Sequence, residues 1–244
     1  MGNKISKKNQ FNGENSASDN LSNEMNEEAD RLHLQHYLQK NIWQNNFFAP
    51  VGHLLEQEDT KVLDVGNTEI IKGNVLERLP FDDNTFDYVF QRTLYVGIPE
   101  NKWPSVINEL IRVLKPDGYL ELLESDFKPN NMGPATTKIT DARTWLGHKY
   151  TVCYKLQDYL EENKQLYDVH CEIKKELNAE NAEELRKLSS ENFTTVVKTL
   201  KPKLASIIKV SNDEYDDLAK KMREELNNPK TFNTQVRVYA RKKL

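Results

Sequence analysis

The sequence predicts an α/β fold built on a mostly parallel sheet. Two observations carry this: an apolar strand at 86–90, and a strand–helix–strand run that ends at Glu124. Such alternation marks parallel strands joined by crossover helices. A third is the cleanly alternating segment Gln235-Val236-Arg237-Val238-Tyr239-Ala240, which places a strand at the end of the chain.

The 244 residues suit one α/β domain with a tail, although length alone leaves two small domains open. Residues 1–29 are rich in Asn, Ser, Glu and Lys and poor in large apolar groups, and read as a disordered tail. The domain is expected at 30–244. From Asp30, Leu32, Leu34, Tyr37, Leu38, Ile42 and Trp43 recur at helical spacing up to Pro50.

Val62-Leu63-Asp64-Val65 reads as a short strand, and Ile70-Ile71 as another before the turn at Gly73-Asn74. In the loop 79–84, Leu79 and Phe81 are expected to point inward. Phe86-Asp87-Tyr88-Val89-Phe90 is the next strand. A helix follows, with Pro104 near its start, an apolar stripe through Val106, Ile107, Leu110, Ile111, Val113 and Leu114, and Lys115 near its negative end. Pro116-Asp117-Gly118 stops it, and residues 119–124 form a strand.

Beyond residue 130 the periodicity predicts helices over 141–163, 180–204 and 211–227, with a strand at 169–173. Ser211 and Glu214 have capping-box spacing.

Composition excludes several roles. Net charge is −4 and no arginine-rich stripe appears, which argues against a nucleic-acid surface. The two cysteines and five histidines are scattered, so no metal site is expected. No apolar run reaches membrane-spanning length. Met1-Gly2-Asn3-Lys4-Ile5-Ser6 fits an N-myristoylation pattern at Gly2, with Lys4, Lys7 and Lys8 as a cationic supplement. The expected location is the cytoplasm, with peripheral membrane contact through this N-terminus.

Val62-Leu63-Asp64-Val65-Gly66, Gly73-Asn74-Val75-Leu76, Asn84-Thr85-Phe86-Asp87-Tyr88-Val89 and Glu109 to Leu120 together resemble class I S-adenosylmethionine-dependent methyltransferases. The resemblance implies a Rossmann-like sheet with the cofactor beyond the carboxyl ends of its strands. It implies S-adenosylmethionine as cofactor and a small-molecule acceptor. It places Asp64 and Gly66 near the methionine part, Asn74 and Val75 near the adenine, and Gln91 and Arg92 beside the methyl-transfer pocket. It assigns no catalytic residue.

The sequence departs from this family at one join. After Gly66 the usual glycine-rich loop, helix and second strand are missing, and Asn67-Thr68-Glu69-Ile70-Ile71 follows at once. About 30 residues or more, one strand–helix–strand unit, are absent. A parallel neighbour needs a longer crossover, so residues 62–71 are expected either as an antiparallel hairpin about Gly66-Asn67 or with a displaced first strand. The truncated sheet implies an impaired cofactor site. The alternative is an inactive methyltransferase-like binding or scaffold protein, or a splice or gene-model variant.

Overall fold

The computed structural model describes residues 14–65, 74–95, 97–144, 150–175 and 181–244. The strands are β1 (Val62–Val65), β2 (Phe86–Arg92), β3 (Leu114–Asn130), β4 (Leu166–Lys175) and β5 (Phe232–Lys242). They form one sheet in the order β1-β2-β3-β5-β4. β1, β2 and β3 run parallel, and β5 lies antiparallel between β3 and β4. The protein is therefore α/β with a Rossmann-like sheet, as expected.

Before the sheet come α1 (Glu14–Trp43) and the single turn α2 (Gly52–Leu55). The crossover between β2 and β3 is α3 (Trp103–Val113). The other helices are α4 (Pro134–Thr144), α5 (Leu156–Glu161), α6 (Ala182–Thr199), α7 (Lys201–Ile208) and α8 (Asn212–Leu226).

α3 forms where Pro104 occupies the first turn and the apolar stripe begins. Its Val106, Ile107, Leu110, Ile111 and Val113 are at most 1% exposed. They pack on Val89, Leu120, Leu122, Val238 and Ala240, which share one face of the sheet. Each such burial contributes roughly 1.5–3 kcal/mol. The opposite face carries Tyr88, Phe90, Tyr119, Leu123 and Tyr239, covered by Leu38, Ile42, Trp43, Ala49 and Val51. Alternation along each strand divides the core between these two layers.

The turn after α3 is tight. Asp117 adopts a left-handed φ of 65°, which Asp tolerates. Gly118 is required beside it, because a Cβ there would stand 2.8 Å from the Asp87 carbonyl oxygen. Lys115 pairs with Asp87 at 2.8 Å instead of serving the end of α3. That end is held by Lys242 of β5, whose Nζ donates to the carbonyls of Ile111 (2.8 Å) and Leu114 (2.7 Å).

Several expectations need correction. α1 begins at Glu14, well ahead of Asp30. Neither Gly nor Pro interrupts residues 14–43, so the helix propagates through a polar segment once nucleated. The helix expected at 141 starts at Pro134, because Glu225 of α8 accepts the amides of Ala135 (3.0 Å) and Thr136 (2.8 Å). The helix expected over 180–204 is two, divided at Leu200, with Pro202 in the first turn of α7. Ser211 and Glu214 do form the capping box of α8. β1 is not displaced: it pairs with β2 through Val62–Tyr88, Leu63–Val89, Asp64–Phe90 and Val65–Gln91. Pairing with β2 satisfies the backbone groups on one side of this edge strand. The hairpin turn at Gly66-Asn67 and the strand at Ile70-Ile71 lie outside the described residues, as does Gly2.

Candidate functional site at the carboxyl end of the sheet

β1 and β2 end side by side, which brings Asp64 and Arg92 together. Arg92 Nη2 donates to Asp64 Oδ2 at 3.1 Å, with side chains 17% and 28% exposed. The guanidinium lies over the Phe90 ring, 5.5 Å from its centroid. Its Nη1 stands 3.0 Å from His36 Nδ1 on α1. A guanidinium only donates, so this contact places the His36 lone pair on Nδ1. Burial and the neighbouring Arg92 charge lower the His36 pKa. Burial raises the Asp64 carboxyl pKa and outweighs the opposing pull of Arg92.

Gln91 faces the other side of the sheet and is fully buried. Its Nε2 donates to Glu124 Oε1 at 2.5 Å. Its own Oε1 is buried without a hydrogen-bond partner among the described residues. Glu124, also fully buried, accepts the amides of Leu94 (2.8 Å) and Tyr95 (3.3 Å). Burial pushes its carboxyl up to about 7. Beyond it, the Tyr95 hydroxyl accepts from Arg143 Nη2 at 2.9 Å.

Asn74 and Val75 sit in a separate turn. The Asn74 side chain accepts the Leu76 amide (3.0 Å) and donates to Glu77 (3.0 Å), as a turn residue does. Val75 is half-buried against the core under α3. Gly66 lies outside the described residues. Of the six cofactor-site residues taken from the sequence, Asp64, Gln91 and Arg92 thus share the ends of β1 and β2.

Sequence reasoning missed His36, Thr93 and Glu124. Glu124 carried a signal, since a carboxylate closing an apolar strand must be buried or capped. His36 carried none, because its partner is 56 residues away. α1 is tied to the same edge by Gln39, whose Nε2 donates to Thr93 Oγ1 at 2.8 Å. Among the described residues no group of three or more His, Cys, Asp or Glu side chains could hold a metal ion.

The two faces of these strand ends offer different groups. The half-buried Asp64 carboxylate can face an ammonium, and the unpartnered Gln91 carbonyl can accept a hydrogen bond. An orphaned buried carbonyl is uncommon and calls for a partner.

Residues 52–118 match the methyltransferase domain family. The demethylmenaquinone methyltransferase of Listeria welshimeri is 40% identical over 77 residues, covering 32% of this chain and 31% of that protein. The demethylmenaquinone methyltransferase of Bacillus pumilus is 37% identical over 83 residues, covering 33% and 34%. The chain thus spans about a third of the length of the curated relatives it matches. Among solved structures, a Haemonchus contortus phosphoethanolamine N-methyltransferase 2 in complex with S-adenosyl-L-methionine is similar at a TM-score of 0.40 and 18% identity, covering 70% of this chain and 36% of that one. A loganic acid methyltransferase gives 0.45 and 8%, covering 71% and 66%.

Proposed function

Starting from a chain whose residues 52–118 are of class I methyltransferase type, we propose an S-adenosylmethionine-dependent protein with a small-molecule acceptor and a curtailed donor site. One observation carries this reading. The parallel strands β1 and β2 end on Asp64, Gln91 and Arg92, where ligands of open α/β sheets bind. Asp64 would hold the ammonium at the methionine end of the donor, while Gln91, on the opposite face, is tied to Glu124 beneath the strand ends. A sulfonium methyl is electrophilic as bound, so the protein's part is to align the acceptor and exclude water. The curtailment rests on the join at Gly66-Asn67, which leaves no residue for the glycine-rich loop.

Calorimetry with S-adenosylmethionine tests the reading. Millimolar-range binding that weakens further in Asp64→Ala is expected. Micromolar binding would overturn the curtailed site, and no heat at millimolar donor would end the enzyme reading. The names of the relatives make demethylmenaquinone the first acceptor to assay.

A non-catalytic binding role is the second reading. It is favoured by the Arg92 guanidinium, which already engages the Asp64 carboxylate. Acylation at Gly2 would give such a protein peripheral membrane contact. Intact mass after co-expression with an N-myristoyltransferase checks this, and an unmodified Gly2 removes it. Among the described residues no helix is long and apolar enough to cross a membrane. If a coding segment lies between the codons for Gly66 and Asn67 in the genomic locus, the chain is a splice or gene-model variant.

A further inference from the structure

β4 lies at the end of the sheet, so among the described residues its outer edge pairs with no strand. It runs for ten residues, Leu166–Lys175, against four for β1 at the opposite edge. A long open edge offers unpaired N–H and C=O groups and is a template for another strand. Ile173 on this strand is 54% exposed, more than any other large apolar side chain among the described residues except the C-terminal Leu244.

The side chains restrict what can be added. His170, Glu172 and Lys174 oppose Tyr239, Arg237 and Gln235 of β5, and so share one face. Asp168, at a bulge with φ 54°, reaches the same face, where its Oδ1 stands 2.9 Å from His170 Nε2. Lys174 lies 3.4 Å from Glu172 and 4.9 Å from the Trp43 ring centroid. Val169, Cys171 and Ile173 take the other face, the first two half-buried against the core under α3. Edge charges of this kind repel an arbitrary strand. A second copy of the chain meets them differently.

Directly opposed residues of antiparallel strands share a face, so a two-fold axis between two copies of β4 must pass through a residue. With the axis at Cys171, each His170 faces the partner's Glu172, and each Lys174 faces the partner's Asp168. Each Val169 faces the partner's Ile173, which covers the exposed isoleucine. An axis at His170 would set Asp168 against the partner's Glu172. An axis at Glu172 would oppose the two glutamates and set His170 against the partner's Lys174. An axis at Ile173 would leave Asp168 and His170 unmatched. We infer that β4 is a self-pairing edge, through which two copies of the chain join antiparallel about Cys171 into one continuous sheet.

Sedimentation equilibrium of the full chain tests the pairing, and oxidation tests its register. Dimerisation is expected on the order of 10–100 μM, the weak association of a single strand pair. Ile173→Lys and Glu172→Lys should each weaken it by about tenfold, since either change enters the interface twice. Both positions are at the surface, circular dichroism checks that each variant folds, and either one suffices if the other does not fold. Across the axis the two Cys171 Cα atoms would stand roughly 4.5–5.5 Å apart, within disulfide reach. Diamide should therefore yield a disulfide-linked dimer that persists in Cys153→Ser, whose thiol is buried, and is lost in Cys171→Ser. A monomer at 500 μM, a dimer indifferent to both lysine substitutions, or a dimer that Cys171 does not link would overturn the inference. No methyl donor is present in these experiments, so any outcome leaves the methyltransferase reading to its own calorimetric test.

Discussion

β3 carries two buried glutamates three residues apart, Glu121 and Glu124, each fully buried on opposite faces of the sheet. On one face, Glu121 meets Arg237 Nε at 2.6 Å, the Tyr88 hydroxyl at 2.9 Å and the amides of Phe48 (3.0 Å) and Ala49 (2.8 Å). On the other, among the described residues Glu124 has only Gln91 and two backbone amides, and no cation. The difference teaches what a buried carboxylate does. Paired with a cation, it staples the entry loop to the sheet. Unpaired, it holds its proton to about 7 and becomes a titrating group near the candidate site.

The sharpest way to break the comparison is Glu121→Gln. It leaves Arg237, 3% exposed, without its counter-charge. We expect a loss of about 3–5 kcal/mol in urea denaturation. A Glu121→Leu, Arg237→Met double variant should recover part of it, because removing both charges removes the uncompensated one while the Tyr88 hydroxyl and the Phe48 and Ala49 amides still lose their acceptor.

Glu124 should behave differently. Its proton is held in the folded state to about 7, against an ordinary value of 4.5. Its contribution is therefore fully present below 4.5 and is lost as pH rises through about 7. Stability in the native protein should fall by roughly 2–3 kcal/mol over that window. In Glu124→Gln that fall should be absent. An unchanged pH profile in the variant would show that Glu124 is ionised throughout.

Lys242→Met removes two carbonyl contacts at the end of α3. The expected loss is about 1–2 kcal/mol by thermal denaturation. Arg92→Ala should change stability by about 1 kcal/mol or less, since the pair with Asp64 is partly solvated. Its effect should appear instead in the His36 titration followed by NMR. His36 is held below its ordinary 6.5 partly by the Arg92 charge, so its pKa should rise when that charge is removed. In the native protein this histidine contributes stability above 6.5 that is lost as pH falls, opposite in sign to Glu124.

The candidate site was half legible. Asp64, Gln91 and Arg92 stood at strand ends in the sequence, and the sheet brings Asp64 and Arg92 together while turning Gln91 to the opposite face. Asn74 and Val75 were assigned by resemblance alone, and among the described residues the hydrogen bonds of the Asn74 side chain are local. His36 could not have been found, because a polar residue on an amphipathic helix has many solvated equivalents. Pro202 could have divided the long helix after α5, since its ring forbids an interior place.

Local chemistry decided the rest of the fold in the same graded way. Alternation and apolar stripes located all five strands and α3, because a residue's preference for a pleated or helical face depends on its near neighbours. The Ser211 box likewise needs only three residues. The start of α4 under Glu225, the cap on α3 from Lys242 and the contrast between Glu121 and Glu124 came only with the tertiary structure. Each depends on a partner brought from across the chain, and burial then sets whether the charge there is shared, capped or neutralised.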